Sequence, residues 1–394
     1  MRAATILQRH FEPELASIHL ARLRLVFAAV SALLRSGRLS LTSLGRAIAT
    51  TTSAKHGIKR IDRLLGNELL HAERVSFYQA IARKVIAPGT RPVIIVDWTS
   101  VTTTLWALVA AVSFEGRALI VYADVHPISR YLKPGVNAAF LQNLKRVLPE
   151  GCSPIIVTDA GFRSPWMLLV AQLGWDYVGR LRQPRTLFKW GKDLIHLKDL
   201  WARTRTTATD FGQLEVGERI RQMARIVGIR KRRARLVTTT PESRGYRSEA
   251  NTKRHRRAAQ EPWTLATSLT SSAARVIAIY SRRMQIEETF RDAKSIRFGL
   301  CLAQARTNST SRAEMLLLLA ALAHITAVIA GIAAEAVRLH VRYQANTVRN
   351  KRVLSLAMLG RLVITHERDA VLKRVLAAAE HVRLWATDAA LLAT

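Results

Sequence analysis

The spacing of apolar residues changes along the chain and predicts helices at both ends with a sheet between them. Apolar side chains recur at helical intervals from residue 14 to 36, and again in shorter stretches up to residue 71. After Pro88-Gly89 the pattern becomes one of continuous apolar runs, which is typical of buried strands. Polar stretches of β character, rich in Thr and Arg, occupy about 183 to 260, and beyond residue 280 the helical spacing returns.

The apolar runs of the central region predict several strands of one sheet. PVIIVDW (92–98) ends in an acid at Asp97, and WALVAAVSF and ALIVYADV follow at close spacing as an antiparallel meander. After a helical pattern at 136–148, PIIVTDAGF (154–162) repeats the first pattern and ends in Asp159. SPWMLLVAQLG then predicts a helix, and WDYVGRLR and WTLATSL predict further strands.

A large cationic excess changes the picture from a generic α/β protein to one with a polyanionic partner. The chain of 394 residues is 49% hydrophobic, which excludes a disordered protein, yet it carries 61 Lys and Arg against 28 Asp and Glu, a net charge of +33. Nucleic acid is the first choice of partner and a membrane surface the second. The densest basic run, 230–257, is either a solvated loop or a segment that follows a phosphate backbone.

One segment imitates a membrane span, because Met315 to Ala334 contains no Asp, Glu, Lys or Arg. A fully buried helix of a large protein has the same pattern, and we favour that interpretation. The N-terminus lacks the apolar core of a signal peptide, and Cys152 and Cys301 have no metal-ligand spacing. We therefore expect a protein of the reducing cytoplasm.

Acidic residues at the ends of two predicted strands indicate a metal site. A strand-end aspartate is often only a turn former, but together with Glu287 of a later helix Asp97 and Asp159 form a set of hard oxygen ligands that suits Mg²⁺ or Mn²⁺. Two such ions can bind both the attacking and the leaving oxygen of a phosphoryl transfer. Three strands, a helix, a strand and a later acid-bearing helix follow the order of a ribonuclease-H-like core.

The segment Tyr280 to Lys294 is predicted to be one helix with a mixed ridge. At roughly 100° per residue, Tyr280, Arg283, Glu287 and Lys294 point within a sector of roughly 60°, with Arg291 close by and Glu288 turned aside. Such a ridge presents a phenol, cations and one carboxylate to a common partner. A solvated helix face would carry the same charges.

The spacing Y-x2-R-x3-E-x6-K at 280, 283, 287 and 294 resembles the signature of the DDE transposases of insertion-sequence family four. Further blocks are similar to the branch of that family found at the ends of a composite tetracycline-resistance transposon. These blocks extend from residue 55 to about 355, and they are KHGIKRIDRLLGN, VDW, DAGF-x2-PW, EPWTLATSL, YSRRMQIEETFRDAKS and YQANTVRN.

The resemblance implies a role for each matching residue. Asp97, Asp159 and Glu287 would be the catalytic triad that holds Mg²⁺, for which Mn²⁺ can substitute. DNA contacts would come from the signature and its surroundings: Tyr280, Arg283, Lys294, Arg291, Trp263 and Met284. Trp263 matches the aromatic residue on which a flipped base stacks, although a core tryptophan of the strand is the alternative. Met284 stands where some relatives have a second aromatic residue.

The resemblance also implies an α/β fold with a ribonuclease-H-like mixed five-stranded sheet and a β-rich insertion. The predicted segments are a helical DNA-end-binding domain, the first part of the core, a basic insertion, the second part of the core and a C-terminal helical region for dimerisation, at 1–88, 89–182, 183–262, 263–310 and 311–394. The basic residues Lys59, Arg60 and Arg63 suggest a helix-turn-helix-like module, with an ordinary helical bundle as the alternative.

The function that follows is that of a bacterial, nucleoid-associated, cut-and-paste transposase. It would bind double-stranded DNA at inverted-repeat ends and at a target, act as a homodimer and pass through a DNA hairpin. Two alternatives remain open, a two-metal nuclease without strand transfer and a catalytically silent DNA-binding regulator. An intact triad and signature argue against the regulator, since a retired site would be free to lose a carboxylate.

Overall fold

The computed structural model describes residues 2–49, 51, 53–217, 221–231, 261–294, 300, 305–345, 347–348, 351–380, 382 and 384. By internal contacts the chain forms two compact units. Unit 1 comprises Met1–Cys152 and Met284–Thr394, and unit 2 comprises Ser153–Arg283. Most of the basic run predicted at 230–257 lies outside the described residues. The five segments predicted from the sequence have other boundaries than these two units, and they stay a prediction.

The helices are α1 (Arg2–Phe11), α2 (Leu20–Ser36), α3 (Leu41–Ala47), α4 (Ala54–Leu65), α5 (Glu68–Val85), α6 (Pro134–Val147), α7 (Ser164–Gln172), α8 (Leu197–Arg203), α9 (Ala273–Ser281), α10 (Met284–Lys294), α11 (Thr310–Ala336), α12 (Leu356–His366) and α13 (Asp369–Ala379). The strands are β1 (Val93–Ser100), β2 (Leu105–Phe114), β3 (Arg117–Pro127), β4 (Ile155–Thr158), β5 (Asp176–Leu181), β6 (Leu187–Trp190), β7 (Asp193–His196), β8 (Thr209–Val216), β9 (Gln222–Ile229) and β10 (Trp263–Thr267).

The helix predicted from residue 14 begins later, at Leu20. A short 3-10 helix at Pro13–Leu15 precedes it, and the His19 side chain caps α2 by accepting a hydrogen bond from the backbone N–H of Ala21 at 3.3 Å. Such a cap satisfies one of the amide groups that have no partner at the start of a helix. Apolar spacing continues across this boundary, so the periodicity does not indicate where α2 begins.

The predicted antiparallel meander is confirmed in unit 1. β1 pairs with β2 and β2 pairs with β3, both antiparallel, in the order β3-β2-β1. Asp97 does not end its strand, however, because β1 continues to Ser100 and Asp97 faces Val109 of β2. The continuous apolar run stops at Asp97. The strand continues to Ser100, because the hydrogen bonds that pair two strands join backbone groups and do not depend on side-chain polarity.

The apolar helix α11 forms the centre of unit 1. It packs against α12, α13, α2 and β3, and nearly all of its side chains between Met315 and Ala334 are buried. By length and composition α11 could cross a membrane, but 89% of its most apolar window is buried inside the protein. Two glycines allow the close approach of α12: a Cβ on Gly360 would lie 1.8 Å from the Ala327 carbonyl oxygen, and one on Gly331 would lie 2.1 Å from that of Leu356.

Unit 2 contains the second group of predicted strands. β4 and β5 run parallel, and β10 joins β5 and β9 by antiparallel pairing. The strand order is β4-β5-β10-β9-β8-β6-β7. The region predicted to be β-rich therefore contributes β6 to β9, with the short helix α8 among them. Together the described residues form a mixed α/β structure, as the apolar pattern predicted.

The single helix predicted from Tyr280 to Lys294 is wrong. α9 ends at Ser281 and α10 begins at Met284, with a turn at Arg282 and Arg283 between them. The N–H groups of these two arginines donate to carbonyl oxygens three residues earlier, those of Ile279 and Tyr280, at 3.2 and 3.0 Å. Such bonds tighten the last turn of a helix. Without a Pro or Gly at the break, helical spacing extends across it unchanged.

Candidate active site

Asp97 and Lys294 are the first pair of predicted site residues that unit 1 brings close together. Asp97 is half-buried in β1, and its Oδ1 accepts a hydrogen bond from the backbone N–H of Trp98 at 2.8 Å. Lys294 donates to the Ser100 hydroxyl at 3.1 Å. Burial lowers the pKa of Lys294, and the Asp97 carboxylate acts in the opposite direction. An ammonium group therefore lies within electrostatic reach of the carboxylate, where a phosphate would also be attracted.

Glu287 is half-buried in the first turn of α10, and three polar side chains fasten that helix to the β2–β3 hairpin. Gln285 accepts from the Ser113 hydroxyl at 2.8 Å. Thr289 Oγ1 accepts from the backbone N–H of Ala118 at 2.8 Å and lies 3.1 Å from the carbonyl oxygen of the same residue. Asp292 accepts from Arg117 Nε at 2.7 Å. We name Gln285, Thr289 and Asp292 the polar seam of α10.

The sequence reasoning missed the polar seam. Its members stand four and three residues apart, which places them on one face of a helix, and that spacing was a usable signal. Glu287 and Lys294 are seven residues apart on the same helix and so share another face. Arg291 is instead 69% exposed at its side chain and forms an ion pair with Glu288. The part of the predicted ridge that lies within α10 is therefore Glu287 and Lys294.

Asp159 follows β4 directly in unit 2 and is held by a tight turn. Its Oδ1 accepts a hydrogen bond from the backbone N–H of Gly161 at 2.8 Å. A Cβ on Gly161 would lie 3.0 Å from the same oxygen, so a larger residue there would crowd the carboxylate. The DAGF block therefore orients the Asp159 side chain by local backbone geometry.

Trp263 and Tyr280 pack edge to face in unit 2, with ring centroids 4.8 Å apart and an interplanar angle of 79°. Tyr280 is buried, at 2% exposure, and Trp263 is half-buried at the start of β10. Burial raises the pKa of Tyr280, while the nearby cations of Arg283 and Arg180 act against this rise. The phenol therefore stays protonated at neutral pH and can donate a hydrogen bond.

Lys231 covers one face of the Trp263 ring. Its Nζ lies 3.4 Å from the ring centroid, which is a cation–π contact. Burial and the neighbouring Arg180 lower the pKa of Lys231. In the sequence Lys231 is one cation of the basic run at 230–257, and no motif singles out Arg180. Their proximity to Trp263 depends on the pairing of β10 with β5 and β9, which the sequence alone did not show.

The remaining predicted DNA contacts lie on the surface. Met284 is 44% exposed at the start of α10. Lys59, Arg60 and Arg63 are exposed on α4, opposite its buried residues Ile61 and Leu64. α4 touches α3 through backbone, because a Cβ on Gly57 would lie 2.1 Å from the Gly45 carbonyl oxygen. The pair thus presents a basic helix face, while its reading of DNA remains a prediction.

The predicted triad offers the right chemistry for a hard cation, because carboxylate oxygens are the ligands that Mg²⁺ prefers. Asp97 and Glu287 belong to unit 1 and Asp159 to unit 2. Among the described residues no group of three or more His, Cys, Asp or Glu side chains is placed to hold a metal ion. The three carboxylates thus fit Mg²⁺ by their chemistry, while the assignment of Asp97, Asp159 and Glu287 as its ligands remains a prediction.

Comparison with known proteins adds the family. Residues 88–324 match the model of a family described as the transposase DDE domain. No curated protein matches the chain. The matched stretch is more than half of the chain and contains Asp97, Asp159 and Glu287, and such enzymes generally use divalent metal ions on DNA. The chain therefore belongs to the DDE transposase family.

Proposed function

We propose that the protein is a cut-and-paste transposase that binds the inverted-repeat ends of its element, cleaves them through a DNA hairpin and joins the 3′ ends to target DNA. The observation that carries the hairpin step is the contact of Trp263 with Tyr280 beside Arg180 and Arg283. An aromatic face surrounded by cations suits a flipped base and its phosphates. The sequence blocks point to the branch at the ends of a composite tetracycline-resistance transposon.

The proposed roles in catalysis follow the triad assignment. Asp97, Asp159 and Glu287 would hold Mg²⁺ or Mn²⁺, which supplies charge stabilisation for in-line displacement at phosphorus. The proximity of Lys294 to Asp97 supports a phosphate-binding role for the lysine, because it lies beside a proposed metal ligand. Tyr280 and Arg283 would bind phosphates near the cleaved bond, with Arg291 and Met284 at the margin of the DNA.

The chemistry proceeds as four displacements. Water attacks a phosphodiester at the transposon end and displaces a 3′-hydroxyl, and this hydroxyl attacks the opposite strand, forms the hairpin and displaces the 3′-hydroxyl of the flanking DNA. A second water opens the hairpin and displaces the transposon 3′-hydroxyl again, which then attacks a phosphodiester of target DNA and displaces a target 3′-hydroxyl. Trp263 would receive the base that the sharp bend expels from the duplex. Its Lys231 partner covers one ring face and would have to move if the base stacks there.

The proposal extends to the rest of the protein. The core would be ribonuclease-H-like, and the exposed basic face of α4 would read the transposon ends through Lys59, Arg60 and Arg63. The C-terminal helices would support a synaptic homodimer. Such a protein acts on DNA in the cytoplasm, in association with the nucleoid.

An end-labelled duplex carrying the inverted repeat that flanks the gene tests the proposal. Incubation with Mg²⁺ should yield nicks and then a hairpin that survives denaturation, and chelation should abolish both. Nicks without a hairpin would favour the nuclease, and binding without cleavage would favour the silent regulator.

Substitution of the triad sharpens the test. Glu287→Gln should abolish cleavage and spare end binding, because it removes one carboxylate charge at nearly constant shape. Glu288→Gln is the matched control, since Glu288 is paired with Arg291 and should be dispensable for cleavage. If Glu287→Gln still cuts, the triad assignment is wrong.

Substitution of Trp263 tests the base-flipping role. Trp263→Ala should retain the first nick and lose hairpin formation by roughly tenfold or more, in line with about 1–3 kcal/mol for stacking of a base on an aromatic ring. Trp263→Phe should restore part of the hairpin. Trp190→Ala is the control, because Trp190 also belongs to unit 2 but packs against Phe211. Equal hairpin yields for Trp263→Ala and the wild type would contradict the assignment.

A further inference from the structure

A cleft of about 310 Å³ in unit 2 begins at the residue after Asp159. Its walls come from the loop after β4, the end of β5 and the loop before β6, and four arginines line it: Arg163, Arg180, Arg182 and Arg185. A volume of this size lies at the lower limit of small-ligand sites, roughly 300–1,000 Å³.

The described residues balance the charge in the cleft only in part. Arg182 Nε lies 2.7 Å from a carboxylate oxygen of Glu261. Among the described residues Arg163, Arg180 and Arg185 form no ion pair. Arg163 and Arg185 are exposed, whereas Arg180 is half-buried and its buried Nε has no hydrogen-bond partner in the described part of the chain.

Arg180 is held in surroundings that disfavour its charge. Burial lowers its pKa, and Arg182 and Arg283 lower it further, while Tyr280 and Glu261 act in the opposite direction. A buried donor without a partner and a partly desolvated cation are both costly. An anion with several acceptor oxygens would relieve both costs, because guanidinium binds phosphate through paired hydrogen bonds.

The position of the cleft identifies the anion. Asp159 is a member of the proposed triad, and the cleft starts at Ala160. α7 begins at Ser164 within the cleft wall, so its N-terminal amide dipoles add to the positive potential. The substrate of a DDE transposase carries one phosphodiester for each nucleotide. A phosphodiester close to the cleaved bond is therefore the anion that this wall of arginines fits.

We propose that Arg163, Arg180 and Arg185 bind a backbone phosphate of the DNA strand next to the cleavage position. This phosphate subsite is additional to the contacts of Tyr280, Arg283 and Lys294, and it rests on the proposed function. Arg180 is its central residue, because it is the half-buried one and its Nε has no hydrogen-bond partner among the described residues.

A substitution cycle with neutralised phosphates tests the subsite. The full-length protein is titrated with a duplex transposon end in which single methylphosphonates replace the phosphates around the cleaved bond. For the wild type, neutralising the bound phosphate should weaken binding by roughly tenfold. For Arg180→Gln the same methylphosphonate should have a smaller effect than in the wild type, because the central of the three partners is gone, and the slope of log affinity against log salt should fall by about 1.

Two further variants complete the cycle. Arg163→Gln removes an exposed side chain of the same cleft, so it reports on the subsite even if Arg180→Gln fails to fold, and it should couple to the same phosphate. Lys198→Gln removes an exposed charge on α8, away from the cleft lining, and its effect should add independently of every methylphosphonate.

The outcomes separate this inference from the proposed function. If every methylphosphonate acts additively with Arg180→Gln and with Arg163→Gln, the phosphate subsite does not exist. If the wild type binds the duplex but makes no nick or hairpin, the proposed function fails, while coupling of Arg180 to one phosphate would still establish the subsite.

Discussion

Thr289 shows how one side chain can position a candidate catalytic residue. Its hydroxyl occupies the outer edge of β3, where it accepts from the N–H of Ala118 and lies 3.1 Å from the carbonyl oxygens of Ala118 and Gln285. Thr289 is buried, so no solvent can replace these bonds. Glu287 lies two residues earlier on the same helix, so this attachment helps to fix its position.

Removal of the Thr289 hydroxyl should therefore be costly. Thr289→Val keeps the shape but leaves the Ala118 N–H buried without a partner, and we expect a loss of about 1–3 kcal/mol in the free energy of unfolding, measured in urea. Thr289→Ser retains the hydroxyl and should lose less and recover cleavage. A valine variant as stable and active as the wild type would show that the polar seam does not position α10.

His324 predicts a pH dependence of stability. It lies on α11, its Nε2 has no hydrogen-bond partner among the described residues, and burial lowers its pKa to about 4 from 6.5, with Asp292 opposing and Arg117 assisting the shift. Below pH 6.5 His324 is protonated in the unfolded chain, whereas in the folded protein it becomes protonated only near pH 4. Stability is thus full above pH 6.5 and is lost as the pH falls toward 4.

The size of this effect is about 3 kcal/mol at most, at 1.36 kcal/mol for each pKa unit. Urea unfolding of the wild type and of His324→Leu across pH 7 to 4 isolates it, because other groups titrate equally in both proteins. The difference in unfolding free energy should shift in favour of the leucine variant as the pH falls. A constant difference across this range would contradict the assignment.

At the scale of elements, the contact of α11 with α12 depends on glycine. Gly360→Ala would place a Cβ 1.8 Å from the Ala327 carbonyl oxygen, a distance that requires the two helices to separate. We expect a loss of several kcal/mol, more than the cost of about 1–3 kcal/mol typical of overpacking in a core. Thermal or urea unfolding measures it.

Gly135→Ala is the matched control for that substitution. Gly135 lies in α6 of the same unit, and a Cβ there meets nothing within 4 Å. Alanine is the better helix former, so this variant should be neutral or more stable by about 0.5–1 kcal/mol. If both variants behave alike, close packing of α11 on α12 is not what requires Gly360.

At the scale of the whole molecule, the net charge of +33 predicts strongly salt-dependent DNA binding. If the protein neutralises roughly 6–10 phosphates, affinity for a duplex of about 30 base pairs should fall roughly 10³–10⁵-fold between 50 and 200 mM salt. Fluorescence anisotropy at several salt concentrations measures the slope. An affinity that hardly changes with salt would show that the cationic excess serves another purpose.

Much of the architecture could be predicted from local patterns. The antiparallel meander, the strands at Ile155–Thr158 and Trp263–Thr267 and the buried character of α11 follow from runs of apolar residues. Helix boundaries were less predictable: His19 caps α2 within a continuous apolar pattern, and α9 ends before Arg282 although no Pro or Gly marks the break.

The sequence by itself determined the family and the identity of the candidate chemistry, because a motif consists of residue types at fixed spacing. Asp97, Asp159, Glu287 and Trp263 could all be named before any contact was known. Only the tertiary structure decided what surrounds them. The contacts that matter join residues far apart in the chain: Thr289 bonds to the edge of β3, Lys231 covers Trp263, and Arg180 lines a cleft with residues of other elements. Strand pairing and helix packing create such neighbours, and no periodicity along the chain encodes them.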